Sequence, residues 1–157
     1  MSQQSINSEA YLNTYHQLKE AVEGLTHDQL TWRPGPGKWS ITEVLSHLAD
    51  HNIIVSFRIR EILADSTAIL PRFDQDAWVA GSKANDGKVD DIIEVFRALL
   101  QYNNLLFGRL STEDLQKTGV NFKGETITLP IIAHAFVQHV QSHLGQIATI
   151  KANYPKD

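Results

Sequence analysis

Apolar residues recur at three- and four-residue intervals over four long stretches of the chain, the spacing that lines one face of a helix. Tyr11, Leu12, Tyr15, Leu18, Val22 and Leu25 predict a first helix over about residues 5–25. Ile41, Val44, Leu45, Leu48, Val55, Ile59 and Ile62 predict a second from Ser40 to about 63. Ile92, Val95, Phe96, Leu99, Leu106 and Leu110 predict a third over about 91–110, and a fourth runs over about 129–153. The starts carry their own signals. Ser40 and Glu43 have the S-x-x-E spacing of a capping box, and Trp39 stands where it can staple to Val44. Thr128 is placed to cap the last helix, with Pro130 harmless in its first turn. No segment alternates as a convincing strand, so the expected fold class is all-α: a four-helix bundle forming one domain over residues 1–157. The 64–90 connection is too long for a tight turn and carries Pro71, Phe73 and Trp78, which predicts a crossover, a lid, or both. GLTHDQL after the first helix echoes RLSTEDLQ after the third, a hint of two related helix pairs.

The candidate chemistry lies in the histidines. With His139 as reference and 100° per residue, Ile132, Ala135, Phe136, His143, Gln146, Ile147 and Ile150 fall within roughly 80° of it, so His139 and His143 are expected to face inward side by side. Two adjacent buried imidazoles are costly when charged and awkward to satisfy when neutral, whereas a divalent cation accepts a lone pair from each. The plainer fate of a histidine on an apolar face is a hydrogen-bonded core position, and H-x-x-x-H recurs by chance. The segment is not of the H-E-x-x-H type, because Val140 stands where the glutamate base belongs. His134 lies roughly 140° from His139, off the stripe, and His16 and His27 have no local partner. Upstream, His47 and His51 are also four apart. Helical phase about Leu48 puts His51 roughly 60° and His47 roughly 100° away, which favours His51, and spacing leaves both open. A site with three protein ligands keeps an open position for chemistry, and a fourth ligand closes it.

Composition narrows the rest. The 157 residues, 42% hydrophobic, suffice for a real core without staples. With no cysteine in the chain, disulfides, thiolate ligands, iron–sulfur clusters and a cysteine nucleophile are excluded. The N-terminus has neither a basic start nor an apolar run, and no stretch approaches bilayer length, so a cytoplasmic protein without membrane association is expected. The net charge of −4 is spread along the chain with no basic stripe, which argues against a nucleic-acid partner.

Four runs, WRPGPGKWSITEVLSHLAD at 32–50, ILPRFDQDAW at 69–78, GETITL at 124–129 and HVQSHLGQI at 139–147, together resemble the DinB-like/YfiT-like superfamily of bacterial metal-binding four-helix bundles over nearly the whole length. The resemblance implies His47, His139 and His143 as the ligands of a zinc, nickel or similar divalent ion with exchangeable water. Two positions depart from the commonest pattern: Asn52 stands where the family often has an acidic residue, and Ser142 where it often has a further histidine. Asp50 remains, but it lies roughly 200° from Leu48 and is expected to face away from the stripe. Three neutral imidazoles leave the cation its full double charge, enough to acidify a water or ionise a thiol. The YfiT-like branch resembles enzymes that transfer low-molecular-weight thiols such as bacillithiol to electrophiles. Older names in the family denote metal-dependent hydrolases, and a non-catalytic metal- or metabolite-binding role is the third reading. Without cysteine, the thiol would be a small-molecule cosubstrate. The acid/base position is open: His51 is the catalytic candidate, and Glu43, Asp74, Asp76 and Glu125 are carboxylates that loops could bring close. Phe73 and Trp78 would supply an apolar cover. Homodimers are common among similar bundles, and C2 pairing is the expected assembly.

Overall fold

Four long helices carry the structure, a computed structural model that describes residues 5–156. In chain order the elements are α1 (Ser8–Val22), α2 (His27–Thr31), α3 (Ile41–Leu63), α4 (Gln75–Gly81), a 3-10 turn (Ala84–Asp86), α5 (Val89–Phe107), α6 (Thr112–Gln116), β1 (Thr118–Val120), β2 (Thr126–Thr128) and α7 (Leu129–Asn153). The long helices α1, α3, α5 and α7 are the four that periodicity predicts, with the first shorter at both ends than expected. The two strands are a departure. They form a short antiparallel hairpin, Thr118 opposite Thr128 and Val120 opposite Thr126, too brief for alternation to be visible in sequence. Thr128 consequently belongs to β2, and its side chain makes no capping bond to α7.

Side-chain bonds give the directions of the helices. Asn52 on α3 reaches Phe96 on α5, and Ser56 and Arg60 reach Asn103, so α3 and α5 run parallel. Gln17 meets Gln141, and Lys151 reaches the Ala21 carbonyl, so α1 and α7 are also parallel. Each parallel pair packs against the other, with α1 beside α5 and α3 beside α7. Because α5 points the same way as α3, the chain must travel back along the bundle between them, as the length of the 64–90 connection predicts. It does so along α3. Leu70 donates its N–H to Val120 of the hairpin, Arg58 donates to the Pro71 carbonyl, Phe73 lies against His47, and Asn85 meets Ser40 at the start of α3. The two echoing segments become α2 and α6, each closed by a capping box, Thr26 with Gln29 and Ser111 with Asp114.

The core is an apolar cluster centred on Tyr11, Phe96 and Phe136, with the Tyr11 ring 5.2 Å from Phe136 and 5.3 Å from Phe107. One polar layer crosses it. The Asn103 amide donates to the Tyr11 hydroxyl and Ser56 Oγ while its oxygen accepts from Arg60, which ties α1, α3 and α5 at one level with every amide atom engaged. On α5 the buried positions are Ile93, Phe96, Leu100, Asn103 and Phe107, whereas Val95 is 48% exposed, so the predicted stripe is rotated from the observed one. Asn103 explains the slip, since a polar residue at the centre of a buried face is invisible to a count of apolar ones. Gly119 in β1 is a packing necessity: a Cβ there would lie 2.8 Å from Ile62 Cγ1 and 3.2 Å from Leu70 Cδ1. Gly119→Ala is expected to cost about 1–3 kcal/mol by overpacking. A urea midpoint unchanged from wild type would contradict that packing.

Candidate metal centre

The site begins with the N-terminus of α3. The Ser40–Glu43 capping box forms as expected, and Glu43, 5% exposed, also takes Arg33 in a two-pronged pair, Nε to Oε1 at 2.7 Å and Nη2 to Oε2 at 3.1 Å. Burial pushes the Glu43 carboxyl up, but the bonds from Arg33 and Ser40 outweigh it and hold the group below its usual range. This anchored first turn places His47 one turn further on, inside the bundle and 1% exposed.

From α7, His139 and His143 approach the same point. His139 Nε2 lies 3.3 Å from His47 Nε2 and 3.2 Å from His143 Nε2, and the three ligating atoms lie within 4.8 Å of one another. Nitrogens about 2.1 Å from a tetrahedral ion sit about 3.4 Å apart, so the spacing fits a shared divalent cation. A hydrogen-bond account fits less well, because His139 Nε2 carries either one proton or one lone pair in its ring plane and faces two neighbours. On His143, Nδ1 bonds Gln146 Oε1 at 2.8 Å, which makes Nδ1 the protonated nitrogen and leaves the Nε2 lone pair for the cluster. Among the described residues, no hydrogen-bond partner reaches the buried Nδ1 atoms of His47 and His139, so their rings are oriented by packing and by the Nε2 contacts within the cluster. Trp39 and Phe73 lie 5.0 Å and 6.1 Å from the His47 ring, and His51 lies 3.9 Å from that of His139.

Burial also keeps His47, His51 and His139 uncharged. Desolvation, reinforced by the neighbouring imidazoles, lowers His47 to about 3 and His139 to about 4. His51 falls to about 2, chiefly through desolvation and then through His139 and His47. A neutral imidazole is the form that donates to a metal.

Helical phase misjudged two details. It favoured His51 over His47, whereas His47 is the residue whose Nε2 meets the His139–His143 pair; His51, the next turn along, also lies inward, its ring between Phe136 at 5.9 Å and His139 at 3.9 Å. It also placed Ala135 inward with His139 at the centre of the stripe. Ala135 is exposed and Val140 is fully buried, so the two histidines occupy the margin of the buried face. The reason is that α7 packs against both α1 and α3, which widens and shifts its apolar face. His134 is exposed, as expected.

Three of the candidate carboxylates are engaged elsewhere. Glu43 is held by Arg33 and the cap, Asp74 caps α4, and Glu125 bonds Asn121 in the hairpin. Asp76 lines a cavity of about 280 Å³ together with Trp39 and His143. Asp50, expected to face outward, has one buried oxygen without a partner, and burial raises its carboxyl. Asn52 faces α5 rather than the histidines. Phe73 and Trp78 pack on each other, 4.9 Å between rings, as an apolar wall continuing from His47. Sequence reasoning passed over Trp39 as a wall of the site, since it read that residue only as a staple. A surface depression of about 750 Å³ between α1 and the start of α5 contains none of the clustered histidines.

A bundle of two parallel helix pairs, with three imidazoles meeting between α3 and α7, is the architecture of a histidine-cluster four-helix bundle. The profile of the DinB superfamily matches residues 10–147, and the chain belongs to that superfamily. Among its relatives is the protein named "Putative metal-dependent hydrolase YfiT" of Bacillus subtilis, 30% identical over 141 residues that cover 85% of this chain and 75% of that protein. A protein of Oceanobacillus iheyensis, also named "Putative metal-dependent hydrolase", is 26% identical over 143 residues, 90% of this chain and 82% of its own. The solved structure of YfiT, described as having an unusual four-helix bundle topology, superposes with a TM-score of 0.85 at 22% identity, covering 92% of this chain and 83% of that one. Among the described residues no helix is long and apolar enough to cross a membrane.

Proposed function

We propose that the protein is a divalent-metal-dependent enzyme in which His47, His139 and His143 hold a zinc or nickel ion, and that it transfers a low-molecular-weight thiol to an electrophile. The carrying observation is the cluster of three imidazoles in which the Nε2 atoms of His47 and His143 lie 3.3 Å and 3.2 Å from His139 Nε2. An ion held there supplies Lewis acidity, which favours the ionised form of a thiol or water beside it. The chain's own residues orient and shield. Gln146 sets the tautomer of His143, Trp39 and Phe73 hold His47 in place, and the Phe73–Trp78 wall keeps an apolar side for an electrophilic carbon. In the reaction the thiol proton leaves to solvent or buffer, sulfur bonds the electrophilic carbon, and a leaving group departs with its electron pair. Thiol transfer needs no carboxylate base, and that suits a centre whose nearby Glu43 and Asp74 are tied into caps.

Hydrolysis of small esters or amides is the second reading, in line with the names of the relatives. Asp76 favours it, since it shares a cavity wall with His143 and could accept a proton from water. The test follows thiol consumption with monochlorobimane across several small thiols, beside an ester panel, with and without chelator. Metal analysis uses protein purified without a nickel column. Chelator-sensitive conjugation supports the first reading. Ester turnover without conjugation replaces it by the second, and stoichiometric metal with neither activity leaves a metal-binding protein.

A further inference from the structure

A groove leads away from His143 toward the C-terminal end of α7. The cavity beside His143, about 280 Å³, and an adjoining one of about 420 Å³ share Lys38, Trp39 and Gln146, so they form one continuous surface. Its outer wall is rigid for a reason legible in the residues GPGK. Lys38 N–H closes on the Gly35 carbonyl at 3.1 Å, Gly37 has φ +70°, and Pro36 precedes it, the pattern of a type II turn. That turn places the Lys38 and Trp39 backbone beside α7 and reduces the loop entropy lost on binding. The opposite wall is Gln146, Thr149, Ile150 and Asn153 of α7.

The electrostatics of this groove differ from those of the whole molecule. The chain has 18 acidic and 14 basic residues, yet the larger cavity is lined by no carboxylate and by one cation, Lys38. The amides of Gln146 and Asn153 and the Trp39 indole add donors, while Pro34, Pro36 and Ile150 add apolar surface. Asp76 lines only the cavity beside His143; in the larger one, a single positive charge with neutral donors suits one monoanion, whereas a phosphate dianion calls for a second cation or an anion nest. Gln146 joins the two functions, since its Oε1 accepts from His143 Nδ1 while the same side chain lines both cavities.

We propose that this groove seats the body of the substrate and selects small molecules that combine an apolar or flat portion with one carboxylate, Lys38 being the counter-charge and Trp39 the platform. The proposal rests on the reading of the histidine cluster as the catalytic centre. Its test is a titration of ¹⁵N-labelled full-length protein, metal-free and zinc-loaded, with 3-phenylpropionate, its uncharged isostere 3-phenylpropionamide, and phenethylamine. Shifts are expected at the Trp39 indole and the Gln146 side-chain amide, with the carboxylate bound about fivefold tighter than the amide, the scale of one partly exposed charge contact. Lys38→Gln should bring the two to within about twofold, and Lys38→Arg should preserve the difference. Equal binding of carboxylate and amide, a preference that survives Lys38→Gln, or shifts confined to other surfaces would overturn the proposal. Zinc is read separately through the histidine ring resonances, so failure of the metal centre and failure of the groove give different spectra.

Discussion

Replacing His139 by alanine is expected to abolish tight metal binding, lowering zinc affinity by more than about 100-fold, because even the loss of a group that only supports a ligand costs 10- to 100-fold. His139 has the largest effect of the three because its Nε2 stands between those of His47 and His143, 3.3 Å and 3.2 Å away. Competition against a chromophoric chelator measures it. His134→Ala is the control, since His134 is exposed on the same helix and away from the cluster. Metal content equal in wild type and the His139 variant would eliminate this centre. His51→Phe separates three ligands from four: the ring would still fill the space between Phe136 and His139, so full metal binding indicates an open coordination position. Loss of the metal in that variant would mark His51 as a ligand and a closed, structural site.

The metal-free protein is expected to lose stability steeply as pH falls below about 6.5. His47, His51 and His139 are held in the folded state at about 3, 2 and 4, chiefly by burial. In the unfolded chain they titrate near 6.5. Below that pH the unfolded state binds protons that the folded state refuses, so the stabilisation is present at neutral pH and is lost as acid increases toward the folded pKa values. Each group contributes a slope of about 1.4 kcal/mol per pH unit, so three together can consume the stability of an ordinary domain within two or three pH units. Asp50 works in the opposite direction, since burial raises its carboxyl and the folded state takes up that proton first. Urea midpoints measured with chelator from pH 7 to pH 4 give the slope directly. A profile flat down to pH 4.5 would mean that the imidazoles protonate freely in the folded protein. Zinc should raise the midpoint at pH 7 by mass action and lose that advantage as protons compete for the same nitrogens.

Much of this was legible in the chain because helical period, caps and breakers are local. The four apolar stripes, the Ser40–Glu43 box and the length of the 64–90 connection predicted the bundle and its crossover, since a helix shows its buried face to its own neighbours three and four residues away. The pairing of His139 with His143 was legible for the same reason. The approach of His47 was not. Phase on α3 pointed to His51, and only the family resemblance named His47, because the facing angle of α3 depends on how it packs against α5 and α7 at once. The β1–β2 hairpin and the inward turn of Asn103 escaped notice for a related reason: three-residue strands and buried amides become stable only through partners far along the chain.

The sequence by itself determined the four long helical segments, the capped start of α3, that any metal ligands must be imidazoles or oxygen donors since cysteine is lacking, and that two histidines share one face of the last helix. These follow from interactions within a few residues. Tertiary structure decided which histidine of α3 joins them, which carboxylates are occupied by caps and ion pairs, and that Trp39, Phe73 and Gln146 surround the cluster. Those outcomes depend on the docking of α3 against α7 and on the path of the 64–88 connection along α3, where burial and charge arise from residues some ninety positions apart, such as His47 and His139.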